Sequence, residues 1–199
     1  QTYGSGVATQ VQKALEKDGV NIAMFEGINV GDSDYSAVIS KLKALGPDLI
    51  YFGGYHPELG LLLRQAREQG LETQFMGPEG VANKDLAAIA GPAVDKLLVT
   101  LPADFTKRKG NEQILEQFKK YQRSPDGAFT MTAYAAMQVL ADSINAVGTD
   151  PAKVADYMHS NSFDTAIGKV DYDAKGDLKH FEFAVFRWDA NGNLTQIQP

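Results

Sequence analysis

Cysteine is absent from the 199 residues. That excludes thiol nucleophiles, thiolate metal sites and disulfide bracing, and leaves the cellular compartment open. No apolar run is long enough to cross a bilayer as a helix. Surplus positive charge is missing too. Lys and Arg number 19 against 25 Asp and Glu, a net charge of −6, so no field draws nucleic acid or an acidic membrane. Low-complexity tracts and internal repeats are lacking. The sequence does not open on methionine and shows no secretory leader, which reads as a mature or truncated product.

What is present is ordinary globular material, 44% hydrophobic and 22% charged, in a chain long enough to bury a substantial core. From residue 5 to residue 101 helical and strand patterns alternate. A helix fits Ser5 to Asp18, with Val7, Val11, Ala14 and Leu15 on one face and Gly19 as the stop. The run NIAMFEG (21–27) reads as a strand. SDYSAVISKLKAL reads as a helix capped by Ser33, with Val38, Ile39, Leu42 and Leu45 facing inward. The nearly all-apolar DLIYF reads as a parallel strand covered on both faces. Pro57 opens a helix running to Gly70. TQFM is a strand, NKDLAAIAG a helix capped by Asn83, and KLLVTL another strand. This alternation predicts an α/β fold with an open parallel sheet. The series opens on a helix, so the strand expected before Gln1 is absent.

After Leu101 helices dominate: EQILEQFKKYQ, the long and largely buried TMTAYAAMQVLADSINAV, and PAKVADYMHSN. AIGKVDYD and FEFAVFRWD read as strands around the turn AKGD, and ANGN as a further tight turn. A boundary is expected near Pro102.

Ligands of open parallel sheets bind outside the carboxyl ends of the strands. That rule selects GGYHPE after Phe52, GPEG after Met76 and PADF after Leu101; if a strand precedes Gln1, QTYGSG has the same placement, and Tyr3, Tyr55 and Glu79 then face one cleft. A carboxylate between two aromatic rings suits an ammonium group, through charge-assisted hydrogen bonds and ring–cation attraction. The competing reading is a solvated loop acid beside two packing tyrosines. His56 and Glu58 sit on the same loop, but no nucleophile or second carboxylate accompanies them. Glu58 suits the first turn of a helix. A catalytic role rests on that pair alone. His56, His159 and His180 are far apart in sequence, which argues against a histidine metal site. Asp171, Asp173, Gly176 and Glu182 imitate a calcium loop, but Lys175 occupies a ligand position and the flanks read as strands, so a polar turn is expected. The glycines at Gly4–Gly6 are too few for a phosphate loop.

The segments QTYGSG, YFGGYHPELGLLLRQAREQGL, QFMGPEGV, AYAAMQVLADSI and DAKGDLKHFEFAVFRW resemble, in order and register, the branched-chain amino-acid binding proteins of bacterial ABC transporters. These are type I periplasmic binding proteins. The resemblance implies two lobes that close on a ligand by a hinge, of which this chain carries the C-terminal portion. Residues 1–102 are then the second lobe without its first strand, 103–181 part of the first lobe, and 182–199 a return to the second. Carried over by residue, Glu79 receives the ligand's α-ammonium, Tyr3 and Tyr55 close over it, and Phe129 lies near its side chain. His56 and Glu58 are not ligand contacts in this comparison. The donors for the ligand's carboxylate fall in the missing segment.

The resemblance thus implies capture of leucine, isoleucine or valine for a membrane permease, in the periplasm, with no cofactor, no metal, no nucleic-acid partner and no bond chemistry. A ligand-sensing receptor or regulator of the same fold is the alternative. Losing the first strand leaves its neighbours with unpaired backbone groups, so this chain alone is expected to bind leucine weakly or not at all. The missing segment of the same protein is then a further expected partner.

Overall fold

The computed structural model describes residues 2–198, and they divide into two compact units. Residues up to Leu101, together with Ala184 onward, form unit 1; Pro102–Phe183 form unit 2.

Unit 1 begins with helix α1 (Thr2–Lys17), then α2 (Ser36–Leu45), strand β1 (Leu49–Tyr51), α3 (His56–Glu68), β2 (Gln74–Gly77), α4 (Asp85–Ala90) and β3 (Leu98–Pro102). In β1 and β2, Leu49 lies beside Gln74 and Tyr51 beside Met76, in parallel, and β2 pairs parallel with β3. Helix α3 starts as its sequence requires, with Pro57 in the first turn and Glu58 near the positive end of the helix dipole. Leu59, Leu62, Leu63 and Ala66 recur at helical spacing and are buried. They join Ile39, Phe75, Leu86, Leu97 and Val99 in the core.

The chain returns through β6 (Phe183–Trp188) and β7 (Leu194–Gln198), which complete a five-stranded sheet ordered β1-β2-β3-β6-β7. The β3/β6 pair is antiparallel. Lys96 donates to the Trp188 carbonyl, Trp188 to Leu97, and Ala103, past the other end of β3, to Glu182. The antiparallel β6/β7 hairpin turns at Asp189–Asn193. There the Asp189 carboxylate accepts the Asn191 and Asn193 amides, and Gly192 takes the left-handed φ of 78°.

Unit 2 holds α5 (Glu112–Lys120), α6 (Thr130–Val147), α7 (Pro151–Ser160) and the hairpin β4 (Phe163–Thr165)/β5 (Gly168–Val170). Asp150 caps α7, accepting the Ala152 and Lys153 amides. Phe105, Met131 and Ala166 form one core cluster; Val139, Phe163 and Val170 form another. Asn111, buried, donates to the carbonyls of Phe105 and Ala166 at 2.7 and 2.8 Å.

Several expectations need correction. Residues 21–27 form no strand. Ile22 and Met24 still alternate inward between exposed neighbours, but no strand lies beside them to complete a ladder. Ser33 does not cap α2. Gln65 grips the approach instead, donating to the Ser33 carbonyl and accepting the Tyr35 amide, both at 2.8 Å, and the helix begins at Ser36. Leu45 is exposed; Tyr35, Ile39 and Leu42 are buried. Helix α6 is not largely buried, for only Met131, Ala135, Val139 and Ser143 are covered, while Tyr134, Met137 and Leu140 are exposed. The partner of β5 is β4 rather than β6.

Candidate functional site

The first turn of α1, the β1–α3 loop and the turn after β2 meet at the carboxyl ends of β1 and β2. Glycines set how closely they approach. A Cβ on Gly4 would stand 2.5 Å from the Gly53 carbonyl oxygen. One on Gly80 would stand 2.7 Å from the Gly54 carbonyl oxygen and 3.1 Å from the Tyr3 ring. Both distances to carbonyl oxygens are far inside van der Waals contact, so the three segments pack backbone to backbone.

This packing brings three of the expected ligand residues together. The Tyr3 hydroxyl donates to Glu79 Oε1 at 2.7 Å. The Tyr55 ring stacks on that of Tyr3, with centroids 5.0 Å apart and planes inclined by 28°. Glu79 opens a short 3₁₀ turn through Val81, half-buried, and Tyr55 is partly exposed. The fourth expected residue, Phe129, belongs to unit 2, where it precedes α6 and is exposed.

The electrostatics centre on Glu79. Burial raises the Tyr3 phenol above its ordinary 10.0, and the hydrogen bond to Glu79 and that residue's charge raise it further; the Gly80 amide opposes them. Tyr51, at the end of β1, is pushed up to about 12, by burial first and then by Glu79. Both phenols thus lie close enough to feel the Glu79 carboxylate. Tyr51 was missed in the sequence, although its place at the carboxyl end of a parallel strand was the available signal.

The other candidates separate from this site. His56 starts α3, and no hydrogen bond joins it to Glu58 among the described residues. Glu58 accepts the Gly31 amide at 3.4 Å. Asp173 spends its carboxylate on the Lys175 and Asp177 amides, closing a turn. Among the described residues no group of three or more His, Cys, Asp or Glu side chains is placed to hold a metal. None of the described helices is long and apolar enough to cross a membrane.

A sheet whose strand ends present a carboxylate among aromatic rings is a scaffold for holding a small molecule. Residues 1–193 match the family described as periplasmic binding protein, and the chain belongs to that family. It is 47% identical over all 199 residues to a leucine-, isoleucine-, valine-, threonine- and alanine-binding protein of Pseudomonas aeruginosa, covering 53% of that protein. Over 198 residues it is 48% identical to the Leu/Ile/Val-binding protein of Escherichia coli, covering 54% of it. The chain thus spans about half the length of the curated relatives it matches. Among solved structures, a leucine binding protein of Thermotoga maritima superposes with a TM-score of 0.86 at 28% identity, over 99% of this chain and 57% of that one. The isoleucine complex of a branched-chain amino-acid transporter substrate-binding protein of Streptococcus pneumoniae, 19% identical with a TM-score of 0.79 over 100% of this chain and 57% of that one, shares the type I fold. These relatives are binding proteins.

Proposed function

We propose that this chain is part of the solute-binding component of an ABC transporter for branched-chain aliphatic amino acids, and that it supplies the grip on the ligand's ammonium group. The observation that carries this reading is the Glu79 carboxylate, held by Tyr3 at 2.7 Å with Tyr55 stacked behind. An α-ammonium there gains a charge-assisted hydrogen bond beside the stacked aromatic pair. In this reading unit 1 belongs to the second lobe and unit 2 to the first. Phe129 borders the ligand's side chain, and the groups that receive its carboxylate come from the part of the longer protein outside this chain. Ligand is captured by lobe closure in the periplasm and handed to a membrane permease. Nothing in this task needs bond chemistry. The identity to proteins named for leucine, isoleucine and valine supports the ligand class.

The test is a chimera that joins the unmatched portion of the Pseudomonas aeruginosa relative to this chain, titrated calorimetrically with leucine, isoleucine and valine. Binding is expected, and Glu79→Gln should weaken it about 10–100-fold, the worth of a hydrogen bond to a charged group. This chain alone should bind weakly or not at all. A folded chimera that binds none of the three, or that ignores Glu79→Gln, overturns the proposal.

A further inference from the structure

We infer that the turn of the β6/β7 hairpin is a self-modifying site: Asn191 gives up its side-chain amide to water and becomes isoaspartate and aspartate, ahead of every other asparagine in the chain.

The sequence places the reactants side by side. Asn191 is followed by Gly192, and none of the other asparagines precedes a glycine. The reaction needs the backbone nitrogen of the following residue to reach the asparagine's side-chain carbonyl, and a Cβ on that residue obstructs the approach. Glycine has none. Nor can this hairpin dispense with it. Gly192 is left-handed, and a Cβ there would stand 2.9 Å from the Ala87 Cβ of α4. The fold thus demands the residue that makes its neighbour labile.

The surroundings decide which asparagine reacts. Asn191 is exposed, and its side-chain amide has no hydrogen bond among the described residues. The amides of other asparagines are engaged. Asn111 serves its two carbonyls, Asn161 donates to the Tyr157 carbonyl at 2.8 Å, and Asn193 and Asn29 donate to Asp189 and Asp32 at 3.0 and 3.1 Å. Asn145 lies inside α6, where helical hydrogen bonds fix the backbone.

One contact opposes the reaction. Gly192 donates its N–H to the Asp189 carbonyl at 3.0 Å, so the attacking nitrogen is held until the turn opens. Strand β7 is the last in the sheet order, and the residues of its turn are largely exposed. Opening there is local and does not require the core to unfold. The turn slows the reaction without stopping it.

The Gly192 nitrogen, its proton taken by hydroxide, bonds to Cγ of Asn191. The Cγ–Nδ2 bond breaks, and ammonia leaves with a proton from water. Water then opens the five-membered imide. Attack at Cγ gives aspartate; attack at the backbone carbonyl carbon gives isoaspartate, whose chain runs through Cγ and is longer by one methylene. Either product puts a new carboxylate two positions from Asp189, whose own carboxylate accepts the amides of residues 191 and 193. Like charge, and in isoaspartate the added length, loosen the hairpin.

The experiment incubates this chain, and in parallel the chimera described above, at pH 8 and maps their peptides by mass spectrometry over time. Conversion at Asn191 is expected to run at least about tenfold faster than at any other asparagine. It should run at least about threefold slower than in the free peptide WDANGNL, which lacks the turn. Methylation by an isoaspartyl methyltransferase should label the product, and amide exchange in β7 should be faster in the isoaspartate form. Asn191→Gln should abolish the label on this peptide with the far-UV spectrum unchanged. Conversion spread evenly over the asparagines, none at Asn191 once the free peptide is consumed, or a rate equal to that of the peptide would each overturn the inference.

Discussion

The Tyr3 hydroxyl donates to Glu79 at 2.7 Å across 76 positions of sequence, tying the first turn of a helix to the turn beyond the second strand. Each holds the other in place. The carboxylate fixes the ring on which Tyr55 stacks, and the ring shields one side of the carboxylate.

That tie has a spectroscopic signature. Tyr3 and Tyr51 both resist ionisation, Tyr51 up to about 12. A phenol whose folded pKa exceeds its unfolded value adds stability that is fully present below about pH 10 and is lost as pH rises through the folded value. Burial also raises Tyr35 and Tyr172, so absorbance titration near 295 nm should show a late group of tyrosines, from which Tyr3→Phe and Tyr51→Phe each remove one. Ionisation of both together with the exposed phenols near pH 10 would falsify this electrostatic account.

Two glycines of one helix should respond oppositely to alanine. A Cβ at Gly4 meets the Gly53 carbonyl at 2.5 Å, and one at Gly6 meets nothing within 4 Å. Gly6→Ala should stabilise by about 0.5–1 kcal/mol through helix propensity. Gly4→Ala should cost about 1–3 kcal/mol as α1 is pushed from the loop. Urea midpoints measured side by side decide it, and equal shifts would count against the close backbone packing.

In unit 2 the buried Asn111 amide serves two carbonyls. Asn111→Ala leaves the Phe105 carbonyl with the Arg108 amide alone and removes the donor to Ala166, at about 1–3 kcal/mol for the group left dry. Exchange of unit 2 amides should accelerate while the amides of β2 stay slow. A variant as stable as the parent would mean that water replaces the side chain freely.

The acid limb offers a separate check. Burial alone would raise the Asp104 carboxyl, but hydrogen bonds from Thr106 and Lys107 and the lysine charge hold it below 3.8. A depressed carboxyl stabilises above its unfolded pKa and loses that contribution as pH falls through its folded value. Asp104→Asn should thus be less stable than the parent at pH 6, with the gap closing below pH 4 in chemical denaturation. A gap independent of pH would point to packing instead of charge.

The sequence shows most plainly what depends on local pattern. Helix α6 begins and ends where its apolar run does, and Pro57 and Glu58 place the start of α3 because the dipole and the missing N–H act within one turn. The meeting of Tyr55 and Glu79 follows from the rule about strand ends, whereas Tyr3 joins them from the first turn of α1. What depends on neighbours was misread. Residues 21–27 carry a strand's alternation without a strand beside them, and the exposed side of α6 reads as core only if something covers it. The β4/β5 hairpin was hidden because Phe163–Thr165 is too short for period-2 alternation to rise above chance. Asp34 rather than the neighbouring Ser33 receives the first amide of α2, at Ser36, and Gln65 holds Ser33 and Tyr35 from a distance that no local cap signal encodes.

Strands β3 and β6 are adjacent in the sheet, yet all of unit 2 lies between them along the chain. On the ribosome, at about 5–20 residues per second, β6 therefore emerges several seconds after β3. Unit 2 is contiguous and can close on itself in that interval, while the exposed side of β3 waits for its neighbour. Synthesis thus favours an order in which the inserted unit folds first, and the sheet that carries Glu79 gains β6 and β7 only afterwards.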